Sequence, residues 1–495
     1  MENKNLSNRV VHGLFWITIE KWTGRLLGIL VFALLGRLLA PADFGIAAIV
    51  VSVIAITAVF VDSGLAQALI QRDELSDVDA DSAFWMSAAV GLTLYAILLA
   101  LTPLLAAMYQ QPRLNSLLPI AGLSLPIAGL ASVPAALLER NFEFKSLAMR
   151  KTIGALVGAA VATAVALNGG GVWALVIQPV AGSLAGGLIL WAVCKWRPRL
   201  RCSWASLSGM LTFSAQVISI ELLNAFQSNV DKFIVGLYFS PTTLGFYYLG
   251  QRILTIIMDV VSAVLEKISL TTFSKLQSDR KRLISYFTTL TFSGATIAFA
   301  AFSVTTGFGR TITELVFGNG WNQSAALMIL MAPSAMLASI SYFDKSALLA
   351  TGHGKSSLAV ALGQFVFGII VLLMAVPFGI YAVAAARSLR QILYWPIRLW
   401  TLHKCTGISI PVYLRKFLGP AAGAAVVFLT AFGMEHTAWA VLPWRLVTYL
   451  LPASLLCMTA YALIVYLTSK SDVRLLVDAL SRFASKRKEH RSSAQ

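Results

Sequence analysis

The sequence predicts an all-α integral membrane protein of about fourteen transmembrane helices, with two parallel six-helix lobes and two further C-terminal helices. Three observations carry this prediction. The 495 residues are 58% hydrophobic and 12% charged, whereas an ordinary soluble domain carries charge at about 25% of positions. Apolar stretches long enough for the ~20 residues of a bilayer-spanning helix recur from the first residues to Thr468. The chain also repeats its own punctuation, since Gly36, Pro41 and Gly45 return as Gly236, Pro241 and Gly245, each displaced by 200 positions.

Hydropathy and turn residues place the spans in order. The first, 14–39, lacks a small-residue cleavage pattern and reads as a retained helix, not a signal peptide. Spans 44–70, 84–108, 114–138, 152–167 and 172–193 complete an N-lobe over 1–198, and 199–210 reads as a cytoplasmic linker. Span 7, at 211–239, is weak because Glu221, Asn224, Gln227, Asn229, Asp231 and Lys232 lower its hydropathy, but the repeat identifies it as the counterpart of span 1. Spans 244–273, 284–308, 325–349, 358–378 and 381–402 complete a C-lobe over 211–405, and 417–432 and 446–467 form an additional pair within 406–469. A basic tail, 470–495, places Leu475, Leu476, Ala479, Leu480 and Phe483 on one helical face and is expected on the inner leaflet.

A second echo supports the repeat: Leu138–Ala148 before span 5 parallels Leu349–Ala359 before span 11. Six helices is an even number, so the two copies enter the membrane in the same sense, related by an axis along its normal. The formal net charge of +17 is distributed accordingly. Lys and Arg in the inner loops and tails number 26, against four outside, namely Arg37, Arg113, Arg310 and Arg445. That is the positive-inside pattern, with both termini cytoplasmic, and it leaves nothing for nucleic-acid binding to explain. The four cysteines share no metal-ligand or disulfide spacing, and the five histidines form no ligand set or triad. Gly352-His-Gly-Lys-Ser356 imitates a phosphate-binding loop, but Leu349 stands where the earlier glycine is required and no strand precedes it.

The stretches Leu39-Ala-Pro-Ala-Asp-Phe-Gly45, Asp62-Ser-Gly-Leu-Ala-Gln-Ala-Leu-Ile-Gln-Arg72, Leu137-Leu-Glu-Arg-Asn-Phe-Glu-Phe144 and Phe317-Gly-Asn-Gly-Trp321 resemble those of Wzx-type polysaccharide flippases. Those proteins belong to the multidrug/oligosaccharidyl-lipid/polysaccharide exporter superfamily. The resemblance covers essentially the whole chain. It implies two six-helix lobes around a central cavity with two additional C-terminal helices, in a bacterial inner-membrane transporter, not an enzyme, that moves undecaprenyl-diphosphate-linked oligosaccharides from cytoplasm to periplasm. It also implies a polysaccharide polymerase and export machinery as partners, no cofactor, and H+ or Na+ as the coupling ion.

The polar residues inside the spans are the candidate site. An ionisable side chain facing lipid at mid-membrane costs roughly 3 kcal/mol, so Glu221, Asp231 and Lys232 must face protein or water. Glu221, Asn224, Ser228 and Asp231 share one face of span 7, and Arg252, Thr255, Asp259, Ser262 and Glu266 form a stripe down span 8. In span 1, Lys21 and Arg25 lie one turn apart beside Gly24 and Gly28, a small-residue step that permits close helix contact. Span 12 adds Arg387, Arg390, Gln391, Tyr394 and Arg398.

Internal ion pairs of Glu20 or Asp231 with nearby bases are the competing account of these charges. Against it, the bases Lys21, Arg25, Lys232, Arg252, Arg387 and Arg390 outnumber Glu20, Glu221, Asp231 and Asp259 by six to four, which favours an anionic ligand. Guanidinium groups suit a diphosphate because their planar donor fork stays charged when partly desolvated. The resemblance points the same way, since arginines on the first and eighth helices of the superfamily's flippases are implicated in headgroup binding. Asp62, Glu221 and Asp259 are the candidates for ion coupling, although Asp62 could equally cap a helix end. Two rival functions remain. A multidrug or cation antiporter of the same fold would show an acidic cavity, and a polysaccharide polymerase or ligase would show a large periplasmic loop with catalytic residues.

Overall fold

The computed structural model describes residues 2–62, 64–72, 74–275, 280–438 and 446–474, with side chains except those of 2–12, 14, 62, 263–275, 280–281, 342, 350, 437–438 and 446–449. All regular elements among these residues are helical. The repeated punctuation falls on helix boundaries. α1 (Glu2–Leu38) gives way to α2 (Pro41–Asp62), and α9 (Trp204–Tyr238) gives way to α10 (Pro241–Lys275). Each proline opens its helix, where its missing N–H costs no intrahelical bond.

Between them lie α3 (Leu65–Gln71), α4 (Asp77–Met108), α5 (Leu114–Gly122), α6 (Ser124–Arg140), α7 (Phe144–Leu167) and α8 (Val172–Val193). After α10 come α11 (Arg280–Gly307), α12 (Gly309–Phe317), α13 (Asn322–Ala350), α14 (Gly354–Ala375), α15 (Ile380–Thr406), α16 (Ile410–Ala438) and α17 (Leu446–Thr468). Twelve spans among the described residues are long and apolar enough to cross a membrane. The other two expected spans, 14–39 and 381–402, lie in α1 and α15, continuous helices of 37 and 27 residues. Their charged and polar side chains keep these two outside the apolar set.

The chain divides into two compact units, Met1–Tyr248 and Leu249–Gln495. In the first, α7 and α8 make the closest pairing, because glycines let their backbones meet. A Cβ on Gly154 would lie 2.7 Å from the carbonyl oxygen of Gly182, and one on Gly158 would lie 2.6 Å from that of Gln178. Gly154/Gly158 and Gly182/Gly186 are thus the small-residue steps that bring helices together. The step at Gly24 and Gly28 is not used for a close approach, since among the described residues nothing lies within 4 Å of a Cβ at either position. Lys21 and Arg25 share that face, and a helix packed there would have to desolvate them.

At the end of the first unit that carries the 140–144 and 194–203 connections, polar groups tie the elements down. Asp79 completes a capping box with Ser76 and accepts from Arg72 at 3.0 Å and from the Ser206 hydroxyl. The 194–203 connection lies along the start of α4, with Arg199 N donating to Asp81 at 3.1 Å and Ser203 N to the Ser82 hydroxyl at 2.9 Å. Arg140 donates to the carbonyls of Leu69, Ile70 and Arg72, capping the C-terminus of α3. Two of the stretches that carry the resemblance, 62–72 and 137–144, therefore touch.

In the second unit α13, α15 and α16 are joined by buried polar contacts. Pro333 interrupts α13, and the Ser388 hydroxyl of α15 enters the gap, donating to Leu330 O at 2.6 Å and accepting from Ser334 N at 3.2 Å. Nearly two turns before the end of α13, Asp344 is fully buried between Arg398 of α15 at 2.9 Å and the hydroxyl of Tyr413 on α16 at 2.9 Å. Removing one member of such a pair leaves an uncompensated buried charge, at about 3–5 kcal/mol. The additional helix α16 is therefore fastened to the unit and also packs along α11 and α17.

Candidate functional site

The polar side chains that the sequence singles out fall into two groups by their partners. One group is held by neighbours. Glu20 pairs with Lys151 of α7 at 2.6 Å, so the ion-pair account holds for that residue. Asp231 is 1% exposed and accepts from the Tyr247 hydroxyl at 3.3 Å. Beside it, Lys232 donates to Asn229 at 2.7 Å and stands 5.8 Å from the Tyr248 ring. In the second unit, Arg387 of α15 donates to the amide oxygen of Gln251 on α10 from both terminal nitrogens, at 3.0 and 3.3 Å. Arg390 lies against Gly368 of α14, where a Cβ would come within 3.1 Å of its Nη1. Next along α15, Gln391 accepts from Gln364 at 2.6 Å.

The other group has no such partner. Arg25 is half-buried on α1, its Nη1 is buried without a hydrogen bond, and its guanidinium stands 5.9 Å from the centre of the Trp22 ring. A buried donor left unmade costs about 1–3 kcal/mol, more when charged. Arg252 on α10 is half-buried and makes no ion pair or hydrogen bond among the described residues. The side chains of Lys21, Glu221, Asn224 and Asp259 likewise have none, with Lys21 exposed and the other three half-buried. Lys21, Arg25, Lys232, Glu221 and Asn224 belong to the first unit, and Arg252, Asp259, Arg387 and Arg390 to the second.

Asp62 is the last residue of α2, and its side chain lies outside the described ones, as does Glu266 at the foot of the span-8 stripe. The amphipathic tail beyond Arg474 also lies outside the described residues. Sequence reasoning missed Asp344 and Gln251. An acidic residue inside the apolar run 325–349 was a signal for the first, whereas only the position of α15 reveals the second.

These features define a polytopic helical membrane protein in which each of two units carries a half-buried arginine that makes no ion pair among the described residues. Residues 34–326 match the family described as "Polysaccharide biosynthesis protein", and the chain belongs to it. It is 22% identical over 434 residues to the teichuronic acid biosynthesis protein TuaB of Bacillus subtilis (strain 168), covering 87% of this chain and 90% of that protein. It is 27% identical over 275 residues to the succinoglycan biosynthesis transport protein ExoT of Rhizobium meliloti (strain 1021), 55% of each chain. Its fold matches that of the lipid II flippase MurJ in an inward closed conformation, with a TM-score of 0.74, 16% identity, and coverage of 94% of this chain and 100% of that one.

Proposed function

We propose that the chain flips undecaprenyl-diphosphate-linked oligosaccharide repeat units from the cytoplasmic to the periplasmic leaflet, by alternating access, for surface or exopolysaccharide biosynthesis. The observation that carries this reading is the pair Arg25 and Arg252, membrane-embedded guanidinium groups without a carboxylate partner among the described residues. A guanidinium kept in that state is stabilised by an anion that arrives with the substrate, and a diphosphate matches its donor fork. Arg390, Arg387, Lys21 and Lys232 widen the basic surface. Glu221, Asn224, Asp259 and Asp62 are proposed to line the polar path and to couple it to H+ or Na+. No covalent step is required, so the chain acts as a transporter and not as an enzyme.

The proposed lobes follow the repeat, residues 1–198 and 211–405, with 199–210 as linker, 406–469 as the additional helices and 470–495 as a cytoplasmic tail. The charge asymmetry supports the bacterial inner membrane with both termini cytoplasmic. A polymerase and export machinery acting on the flipped unit are the proposed partners. Deleting the gene is expected to stop polymer export while lipid-linked repeat units accumulate, read by mass spectrometry of extracted lipids. Polymer export without accumulation in the deletion strain would refute the reading.

A further inference from the structure

A cavity of about 360 Å³ opens at one end of the first unit, where the α1–α2, α4–α5 and α7–α8 turns come together. These turns lie at the end opposite the basic loops, which the charge asymmetry makes periplasmic. The volume is that of a small-ligand site. Asp43 in the first turn of α2, Arg113 and Ser116 at the start of α5, the Gly169-Gly170-Gly171 loop and Trp173 line it.

The polar groups there are not consumed by one another. Arg113 is exposed and its guanidinium makes no hydrogen bond or ion pair among the described residues, although Asp43 lines the same cavity. Asp43 accepts from Ala40 N at 3.3 Å and keeps its other carboxylate oxygen available. The glycine loop keeps the space open. Gly169 and Gly171 take left-handed φ values of +76° and +55°, which side chains rarely adopt, and a Cβ on Gly171 would stand 3.5 Å from Asp43 Oδ1.

We propose that this cavity is a saccharide-binding subsite on the outer face, taking a pyranose unit of the transported glycan. The source of that sugar rests on the proposed function above. One carboxylate, one guanidinium and one hydroxyl around an indole suit a polyol: ring hydroxyls donate to Asp43 and accept from Arg113, and the apolar C–H face lies on Trp173. A free anion fits less well, because Asp43 repels it. A site on the releasing side that holds the glycan weakly would disfavour its return.

The test is saturation-transfer NMR on the full chain in lipid nanodiscs, with D-glucose, D-galactose and D-glucuronate as separate probes. Transfer to the ring C–H protons of at least one sugar is expected, falling about ten-fold in Trp173→Ala and in Ser116→Trp, which fills the mouth from an exposed position. Trp173→Phe should restore most of the signal. The subsite is overturned by no transfer to any of the three sugars, by an unchanged signal in both variants, or by inorganic phosphate displacing the bound sugar. Because binding is read without lipid carrier or transport, a chain that binds sugar but moves no lipid-linked glycan would refute the flippase reading alone. A working flippase without the sugar signal would refute the subsite alone.

Discussion

Alanine at Gly45 or Gly245 is expected to destabilise the protein by about 1–3 kcal/mol and to cut polymer export at least ten-fold. The first turns of α2 and α10 cross here within the first unit, and each glycine sits on the other helix. A Cβ on Gly45 would overlap the carbonyl oxygen of Pro241, and a Cβ on Gly245 would overlap that of Pro41. The obstacle in both cases is backbone, which cannot rotate aside as a flexible side chain would. Both glycines and both prolines belong to the internal repeat, so the reciprocity of the contact reflects the duplication. The two substitutions share one crossing, and the double variant should therefore cost less than twice either single one. Thermal unfolding in detergent reads the stability. Gly24→Ala and Gly28→Ala serve as controls and should not destabilise the protein, because nothing among the described residues lies within 4 Å of a Cβ at either position.

Replacing Arg25 or Arg252 by alanine is expected to abolish polymer export almost completely at unchanged protein level, with lysine giving a partial loss. Neither guanidinium has a carboxylate to strand among the described residues, so their removal leaves no buried charge behind. Relieving the orphaned Nη1 of Arg25 should even favour folding slightly. Lysine keeps the charge and loses the bidentate fork. Arg390→Ala should also reduce export. Arg398→Ala provides the contrast, because it abandons Asp344 in a fully buried position and should lower the amount of folded protein. Quantifying exported polymer against membrane-extracted protein separates the two behaviours. Intact export in both Arg25→Ala and Arg252→Ala would return these charges to a structural role.

The helices were legible because burial in lipid imposes a long apolar run, and their pairing across the repeat was legible because proline and glycine mark the same boundaries twice. Shorter breaks were not. Span 44–70 is α2 and α3, divided near Gly64, and span 114–138 is α5 and α6, divided at Leu123. A break of one or two residues hardly changes the average apolarity of a long run. The connection after α11 contains α12, whose N-terminus is held by Glu435 accepting from Thr311 N at 2.7 Å. That partner lies 124 residues away and leaves no local signal.

Small residues were legible as permission for close approach but not as its place. Gly24 and Gly28 have the spacing that Gly154 and Gly158 use, but a glycine pair does not specify whether a neighbour arrives. For the site, residue type and helical spacing brought out Arg25 and Arg252. They could not separate these from Arg387, because its partner Gln251 stands 136 positions earlier in the chain, on another helix.

The central claim, movement of a lipid-linked glycan between leaflets, is tested most directly in proteoliposomes holding the purified chain and undecaprenyl-diphosphate-linked oligosaccharide. Membrane-impermeant periodate then reads which glycans face outward. With the active chain the whole pool should become oxidised as inner-leaflet molecules are carried out. With the Arg25→Ala, Arg252→Ala double variant, oxidation should stop at the outer-leaflet pool. An inner-leaflet pool that stays protected in the presence of the unaltered chain, under an imposed H+ or Na+ gradient of either direction, would contradict the account.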